Sequence, residues 1–326
     1  METRQQYLRY IKIKKKEIVK IKDIVKKKNL EKRHGKNLFL CSAVILSLCL
    51  SFVSCDNFEY HPYASDFYGR TAIHATALKE ISELCEGKDT VCFAFVTDTQ
   101  GSYDELEGAV DYIKKRDDVM FVIHGGDQSD FGLRKEFLWC RDIMDNLHKP
   151  YVCVIGNHDC LGTGEHTFDT LYGVENFSFN ASFVHFVGLN TIALEYDYSN
   201  PVPDFMFMED DINATLYTDS LTNTVVFMHA PPYDEQFNNN VAKVFHRYVR
   251  AYPGLRDTDP RYDDTAGEKA GTMKNGICLN GHTHRTDVKN IFDDGVLYYG
   301  LVNMEHRALQ IYTITKDGYE VETITF

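Results

Sequence analysis

A chain of 326 residues with 44 % apolar side chains can bury a large core, which excludes a protein that is disordered throughout. Its net charge of −13 is unevenly distributed: residues 1–36 carry 14 Lys and Arg against 4 Asp and Glu, and residues 37–326 carry a net charge of −23. Because nucleic-acid binding depends on basic side chains that neutralise phosphates, we do not expect the acidic body to bind nucleic acid.

Residues 38–53, LFLCSAVILSLCLSFV, follow the basic tail and contain no charged side chain. The segment is shorter than the ~20 residues of a membrane-spanning helix and fits the apolar core of a secretory signal. The sequence FVSC, which ends at Cys55, resembles the lipobox of bacterial lipoproteins, although Phe52 stands where Leu is usual. This resemblance implies cleavage before Cys55, lipid attachment there, and an exported protein anchored to a membrane of the cell envelope. The alternative is an uncleaved membrane anchor. Residues 1–54 are therefore set apart from a folded domain predicted over 60–326.

From residue 64 onward, stretches with helical spacing of apolar residues alternate with short apolar runs, which is typical of an α/β fold. Helices are predicted over residues 64–85, 103–115, 133–147 and 241–249. Buried strands are predicted over residues 91–96, 119–123, 151–155, 224–228 and 277–279. Three more strands are predicted over residues 296–299, 308–313 and 319–325. The last two are joined through Asp317-Gly318, a hairpin signal, and we expect the three to extend the second of two sheets.

A short polar motif follows each of the five buried strands. In chain order, the motifs are Asp98-Thr99-Gln100, Gly125-Gly126-Asp127, Gly156-Asn157-His158-Asp159, His229-Ala230-Pro231-Pro232 and Gly281-His282-Thr283-His284. One such motif alone is also explained by a turn or a helix cap. Five in order indicate one shared site, because polar groups beyond the carboxyl ends of strands form the sites of α/β sheets. Carboxylate, imidazole and amide donors without cysteine suit Mn, Fe, Zn or a similar divalent ion, and one central carboxylate, Asp127, can bridge two ions.

Across residues 91–284, the ordered motifs resemble those of the calcineurin-like metallophosphoesterase superfamily. The resemblance implies a four-layer α/β/β/α sandwich of two mixed β-sheets flanked by helices. It also implies seven ligands to two divalent metal ions, which are Asp98, Gln100 and His284 for the first ion, Asn157, His229 and His282 for the second, and Asp127 for both. It further implies that His158 faces the substrate and that Asp159 orients His158.

The first motif departs from the commonest pattern of the superfamily, Asp-x-His, because Gln100 replaces the histidine. An amide oxygen is a harder and weaker ligand than an imidazole, which favours Mn²⁺ over Zn²⁺ at the first ion. Some branches of the superfamily, including Mn-dependent nucleotide-diphosphate hydrolases, are similar in having Gln at this position.

The predicted activity is the hydrolysis of a small phosphodiester, or of a nucleotide-like diphosphate, by a hydroxide that bridges the two ions. His158 would hydrogen-bond a phosphoryl oxygen or protonate the leaving alkoxide. The alternatives are a phosphomonoesterase and a non-catalytic metal-binding lipoprotein of the same fold. No Tyr lies within three residues of Asp127, which disfavours a monoesterase of the purple acid type, and only Gln100 favours the non-catalytic alternative.

Residues 233–272 form a long insertion before the last motif, and long insertions at the mouth of a site are often lids. Residues 195–213 are predicted to be a connector followed by a covering helix. The candidate substrate-binding residues are His124, Tyr233, Asn239 and Arg247, and the alternative for the insertion is a solvated loop face.

Overall fold

The computed structural model describes residues 66–195, 200–216, 218–255 and 276–326, and four helical lysines of the basic tail. The chain divides into residues 1–61 and 62–326, and every element below belongs to the second unit. The apolar segment 38–53 and Cys55 lie outside the described residues, so the signal sequence and the lipid anchor stay predictions. Within the described part of the chain, no helix is long and apolar enough to cross a membrane.

The first sheet contains three parallel strands and a hairpin. Its strands are β1 (Thr90–Val96), β2 (Phe121–His124), β3 (Tyr151–Cys153), β10 (Ala308–Thr315) and β11 (Gly318–Thr325). Their order is β11-β10-β1-β2-β3, with β1, β2 and β3 parallel and β10 antiparallel to both of its neighbours, β1 and β11. The parallel strands are continuous apolar runs because both of their faces are covered.

The second sheet has six strands. They are β4 (Phe177–Ala181), β5 (Val184–Leu189), β6 (Asn223–Met228), β7 (Ile277–Asn280), β8 (Val288–Lys289) and β9 (Leu297–Gly300). Their order is β4-β5-β6-β7-β9-β8, with β5, β6, β7 and β9 parallel. The two strands that carry the histidine motifs, β6 and β7, are therefore neighbours, and their carboxyl ends lie at the same edge.

The helices cover the outer faces of the two sheets. They are α1 (Ile73–Cys85), α2 (Tyr103–Lys114), α3 (Arg134–Asp145), α4 (Gly164–Leu171), α5 (Phe205–Thr215) and α6 (Ala242–Val249), with a short 3-10 helix at Met304–His306. Strand β6 shows the layering: Val225 and Phe227 belong to the main core, whereas Val226 packs with Met208 of α5 and Phe245 of α6. The predicted four-layer α/β/β/α sandwich is confirmed.

Phenylalanines join the inner faces of the two sheets. The ring of Phe93 on β1 lies 5.3 Å from the ring of Phe186 on β5 in an edge-to-face arrangement. Phe121 on β2 contacts Phe186 and Phe179 in the same way, at 5.3 and 6.0 Å between centroids. Such aromatic pairs contribute about 0.5–1.5 kcal/mol beyond the apolar area that they bury. They fix how the two sheets are placed, and the site depends on that placement.

The prediction that residues 308–325 extend the second sheet is wrong, since only β9 of the three C-terminal strands lies there. Strand β10 instead pairs with β1, from Thr90 opposite Thr315 to Phe95 opposite Gln310. Strand β10 thus covers the edge of β1 that β2 does not occupy, and most residues of β10 are buried. The ring of Tyr312 stacks on Phe93 at 5.1 Å between centroids.

Other elements also differ from the sequence prediction. Helix α1 begins at Ile73 and not at residue 64, because the buried Arg141 guanidinium donates to the backbone carbonyls of Tyr68 and Arg70 and holds that segment outside the helix. Strands β4 and β5 were not predicted, because Asn180 and His185 interrupt their apolar runs. These two residues are opposite each other in the register and are hydrogen-bonded at 2.7 Å.

Candidate metal centre

The backbone turns sharply where the polar motifs follow their strands. Asp98, Asp127, His282 and His284 all have left-handed backbone conformations, with φ between 49° and 62°, which is uncommon for residues other than Gly. Glycine is required beside them: a side chain at Gly281 would come within 2.6 Å of the Asp98 carboxylate. Such conformations persist only where the surrounding structure enforces them, and they are frequent at functional sites.

The predicted ligands of the first ion lie together. His284 Nε2 is 3.1 Å from Asp98 Oδ1, and this hydrogen bond raises the pKa of His284. Asp98 is buried and also accepts hydrogen bonds from Thr97 Oγ1 at 2.6 Å and from the backbone N–H of His282 at 3.2 Å. Gln100 Nε2 donates to Asp127 Oδ2 at 3.3 Å, which brings the amide to the same cluster.

The predicted ligands of the second ion also converge. His229 Nε2 lies 3.2 Å from Asn157 Oδ1 and 3.1 Å from Asp127 Oδ2. The other ring nitrogen, Nδ1, donates to the carbonyl of Gly125 at 2.8 Å, so Nε2 is the atom that can bind a metal ion. The rings of His229 and His282 are 5.2 Å apart, and Asp127, His229 and His282 offer ligand atoms that all lie within 4.8 Å of one another.

Asp127 stands between the two groups of predicted ligands. Its Oδ2 contacts Gln100 on one side and His229 on the other, and its Oδ1 accepts the backbone N–H of His158 at 3.0 Å. Only 1 % of the residue is exposed, so the carboxylate is held away from water. This is the position that a bridging ligand requires.

The donor set fits divalent ions. Burial lowers the pKa of His229, but the Asp127 and Asp98 carboxylates raise it, to about 10 on balance. A metal ion would take the place of that proton, because imidazole ligands bind in the neutral form. Gln100 Oε1 is buried and has no hydrogen-bond partner among the described residues, and a metal ion would satisfy it. The assignment of the seven ligands stays a prediction.

His158 of the GNHD motif is accessible, with 38 % of its side chain exposed. Its Nδ1 lies 2.8 Å from the backbone carbonyl of Asp130 and 3.6 Å from Asp130 Oδ1. Because a carbonyl only accepts, Nδ1 carries a proton, and Nε2 is left for a substrate. Asp130 was not singled out in the sequence, although its place three residues after Asp127 on the same loop was a usable signal.

The prediction that Asp159 orients His158 is wrong. The Asp159 carboxylate is fully buried and accepts hydrogen bonds from the backbone N–H groups of Gln128, Ser129 and Gly156 at 2.9–3.0 Å, and from Ser129 Oγ at 2.9 Å. Burial raises the pKa of Asp159 to about 7, and the backbone donors oppose that shift. Asp159 therefore holds the loop after β2, which contains Asp127, against the loop after β3, which contains Asn157 and His158.

His124 is also misassigned as a substrate contact, because it is fully buried. Its Nε2 lies 2.9 Å from Thr99 Oγ1, and its Nδ1 accepts the backbone N–H of Gly126 at 3.2 Å. Burial lowers the pKa of His124 to about 4, which keeps the ring neutral. His124 shapes the turn that precedes Asp127.

The other substrate candidates have different surroundings. Tyr233 is 53 % exposed and stays a candidate, whereas the Asn239 amide is engaged by its own loop: it accepts from the backbone of Tyr233 at 2.8 Å and donates to the carbonyl of Asp234 at 2.7 Å. Arg247 lies half-buried on α6, and its role stays a prediction. Residues 256–272 of the insertion lie outside the described part of the chain.

Comparisons with known proteins show what the chain is similar to in family and in fold. The family model described as calcineurin-like phosphoesterase matches residues 93–286. A dimetal phosphatase from Danio rerio has 13 % identity and a TM-score of 0.54, over 72 % of this chain and 99 % of the other. GAP50, the anchor in the inner membrane complex of Plasmodium, has 13 % identity and a TM-score of 0.50, over 73 % of this chain and 85 % of the other. At these identities the two structures show similarity of fold alone. No curated protein sequence matches the chain significantly.

Proposed function

We propose that this chain, which belongs to the calcineurin-like phosphoesterase family, hydrolyses a small phosphodiester or a nucleotide-like diphosphate with two divalent ions, preferably Mn²⁺. The observation that carries the proposal is the convergence of the predicted ligands on the buried Asp127 carboxylate. The buried Gln100 oxygen, which has no protein partner in the described residues, supports it.

Two ions at such a site would supply Lewis acidity and lower the pKa of water. The protein's own part is to hold the ligands and to place His158. The hydrogen bond from His158 Nδ1 to the Asp130 carbonyl fixes the ring orientation. His158 Nε2 can then hydrogen-bond a phosphoryl oxygen or, when it carries a proton, donate that proton to the leaving alkoxide.

The charge of the body favours a diester over a monoester. Residues 37–326 carry a net charge of −23, and a field of that sign opposes the approach of anions. A phosphodiester carries one negative charge near neutral pH, whereas a phosphomonoester carries about two. The monoester is therefore the second candidate. A diphosphate also carries at least two negative charges, so this argument favours the diester over the diphosphate as well.

The test is hydrolysis of bis-p-nitrophenyl phosphate by the purified chain, after chelation and addition of Mn²⁺. An Asn157→Ala variant and p-nitrophenyl phosphate are measured in parallel. We expect metal-dependent cleavage of the diester that is lost in the variant. Cleavage of the monoester alone would replace the proposal with a phosphatase. Two bound ions without turnover of either compound would favour the non-catalytic alternative.

We also infer that the protein is exported and tethered to a membrane through a lipid on Cys55. The support is the lipobox-like FVSC after an uncharged apolar segment and a basic flank. Metabolic labelling with palmitate should mark the wild type and not a Cys55→Ser variant. Equal membrane association of both forms without label would point to an uncleaved anchor at residues 38–53.

A further inference from the structure

The carboxylate of Asp234 lies against the ring of His282, one of the predicted ligands of the second ion. Asp234 Oδ1 is 3.1 Å from His282 Nε2, and the two side chains are only 16 % and 15 % exposed. Asp234 comes from the loop that follows the His229 motif, and His282 comes from the loop after β7, the neighbouring strand of the sheet. The contact therefore joins two of the motif loops beside the metal centre.

The loop holds Asp234 in place from several sides. Asp234 Oδ1 accepts the backbone N–H of Gln236 at 2.9 Å, and its carbonyl accepts from Asn239 Nδ2 at 2.7 Å. Asn239 Oδ1 accepts the backbone N–H of Tyr233 at 2.8 Å, and Tyr233 has a φ of 68°, an unfavourable conformation for a bulky residue. A strained backbone clamped in this way indicates that the position of Asp234 is specified and not incidental.

The contact determines which nitrogen of His282 can bind a metal ion. A carboxylate accepts hydrogen bonds, so His282 Nε2 carries the proton and donates it to Asp234. The lone pair is then on Nδ1. His229 has the opposite arrangement, since its Nδ1 donates to Gly125 and its Nε2 lies beside Asp127. In each histidine one ring nitrogen is held by a protein acceptor and the other would be the one to bind a metal ion. Such outer partners fix the tautomer and orientation of metal ligands.

We propose that Asp234 is a positioning residue for the second metal ion, acting through His282. This inference rests on the proposed function, because it requires that the centre binds two ions. Asp234 holds the ring in the tautomer that exposes Nδ1 and raises the basicity of that nitrogen. Its removal weakens the second ion without removing a ligand.

The test is Mn²⁺ binding to the metal-free full-length protein, measured by isothermal titration calorimetry. The variants are Asp234→Ala and Asp234→Asn, with Glu235→Ala as the matched control, because Glu235 is an exposed acid next to Asp234. We expect Asp234→Ala to weaken one of the two ions about 10–100-fold and Glu235→Ala to bind as the wild type does. Asp234→Asn keeps an oxygen that accepts from His282 Nε2 and Gln236, so it should recover most of the affinity. Thermal unfolding of the metal-free forms shows whether each variant is folded.

A double-mutant cycle with His282→Ala separates positioning from a loss of charge. If Asp234 acts through His282, then Asp234→Ala adds no further loss of affinity in the His282→Ala background. Losses that add, or an Asp234→Ala variant that binds both ions as tightly as the wild type, would overturn the inference. Wild-type protein that binds two ions but hydrolyses no phosphoester would overturn the proposed function and leave the role of Asp234 standing. Wild-type protein that binds no ion would overturn both.

Discussion

At the scale of single residues, Gln100 sets this metal centre apart from the commonest Asp-x-His pattern. Its amide oxygen is buried without a protein partner in the described residues, and its Nε2 donates to Asp127. Because an imidazole binds Zn²⁺ better than an amide oxygen does, Gln100→His should increase the affinity for Zn²⁺ relative to Mn²⁺. Competition with a chelator gives both affinities. An unchanged ratio would show that residue 100 does not bind the first ion.

His158 is the residue whose replacement should slow hydrolysis without loss of metal. Its contact with Asp127 is made by the backbone N–H, which any substituted residue retains. His158→Asn should therefore bind Mn²⁺ normally but lower kcat by about 100-fold or more on an alkyl phosphodiester. On a nitrophenyl ester the loss should be smaller, because that leaving group needs less protonation.

The comparison of the two esters decides what His158 does. Equal losses of kcat on both would assign His158 to the phosphoryl oxygen and not to the leaving group. Metal content is measured for each form, and His166→Asn, at an exposed position on α4, is the matched control. A His158 variant with normal kcat on both esters would contradict any role in the reaction.

The predicted metal ligands could be recognised in the sequence because each follows a buried strand. The carboxyl ends of neighbouring parallel strands lie at the same edge of a sheet, so residues that follow them come close together. The partners of His158 and His282 could not be predicted in this way. Asp159 is adjacent to His158 in sequence, yet it bonds to the loop before it, whereas Asp130 reaches the ring from 28 residues away. Sequence proximity does not determine which carboxylate a side chain meets once loops from different strands pack together.

At the scale of elements, a buried polar network fastens α5 to the edge of the second sheet. Asp211 on α5 accepts from Ser178 Oγ at 2.6 Å and from Tyr252 at 3.0 Å, and His185 Nε2 lies 3.0 Å from the same carboxylate. Burial raises the pKa of Asp211, but the contacts with His185 and the hydrogen bonds from Ser178 and Tyr252 together outweigh it, and the net pKa lies below the ordinary value. The Asp211 carboxylate is therefore ionised at neutral pH, and its oxygens are hydrogen-bonded.

Asp211→Ala should lower the free energy of unfolding by about 3–5 kcal/mol, because it leaves Ser178, His185 and Tyr252 without their acceptor. Urea unfolding measures the change. Asp210→Ala is the control, because Asp210 is the exposed neighbour on the same helix and its replacement should cost well under 1 kcal/mol. A small effect of Asp211→Ala would mean that water replaces the carboxylate in this network.

The pairing of the C-terminal hairpin and the presence of β4 and β5 could not be predicted from the local sequence. The 308–325 hairpin was recognised, but its place beside β1 depends on a long-range choice between two sheet edges, which local spacing does not encode. In β4 and β5, Asn180 and His185 weakened the apolar pattern although each is satisfied by the other across the strands. A polar residue whose partner lies on the neighbouring strand thus interrupts the alternation of apolar and polar residues by which a strand is recognised in the sequence.

At the scale of the whole molecule, the metal centre exists only where the two sheets meet. The Asp98, Asp127 and Asn157 motifs end strands of the first sheet, whereas the His229 and His282 motifs end strands of the second. The inter-sheet phenylalanines therefore determine distances between ligands that lie far apart in sequence. The sequence could predict which residues take part, but their separations depend on this packing.

The stability of the whole body should depend on pH through His74, which is far from the metal centre in sequence. The ring is buried on α1 beside Phe177, at 4.2 Å between centroids, and Nε2 accepts the backbone N–H of Cys153 on β3 at 3.2 Å. Burial lowers its pKa from 6.5 to about 3. Between these two values the unfolded chain binds a proton that the folded protein does not, so stability is full above pH 6.5 and falls as the pH is lowered.

His74→Gln removes this titration while Gln keeps an acceptor for the Cys153 N–H. From pH 6 to pH 4.5, the free energy of unfolding of the wild type should fall by about 2 kcal/mol more than that of the variant. The comparison cancels the general effect of protonating the acidic body, and a chelator removes the pH dependence of metal binding. His166→Gln, at an exposed position, should follow the wild type. If the free energy of unfolding of His74→Gln fell with pH as much as that of the wild type, the prediction would be contradicted. His74 would then have to be protonated in the folded protein, and its ring would need an acceptor within the core.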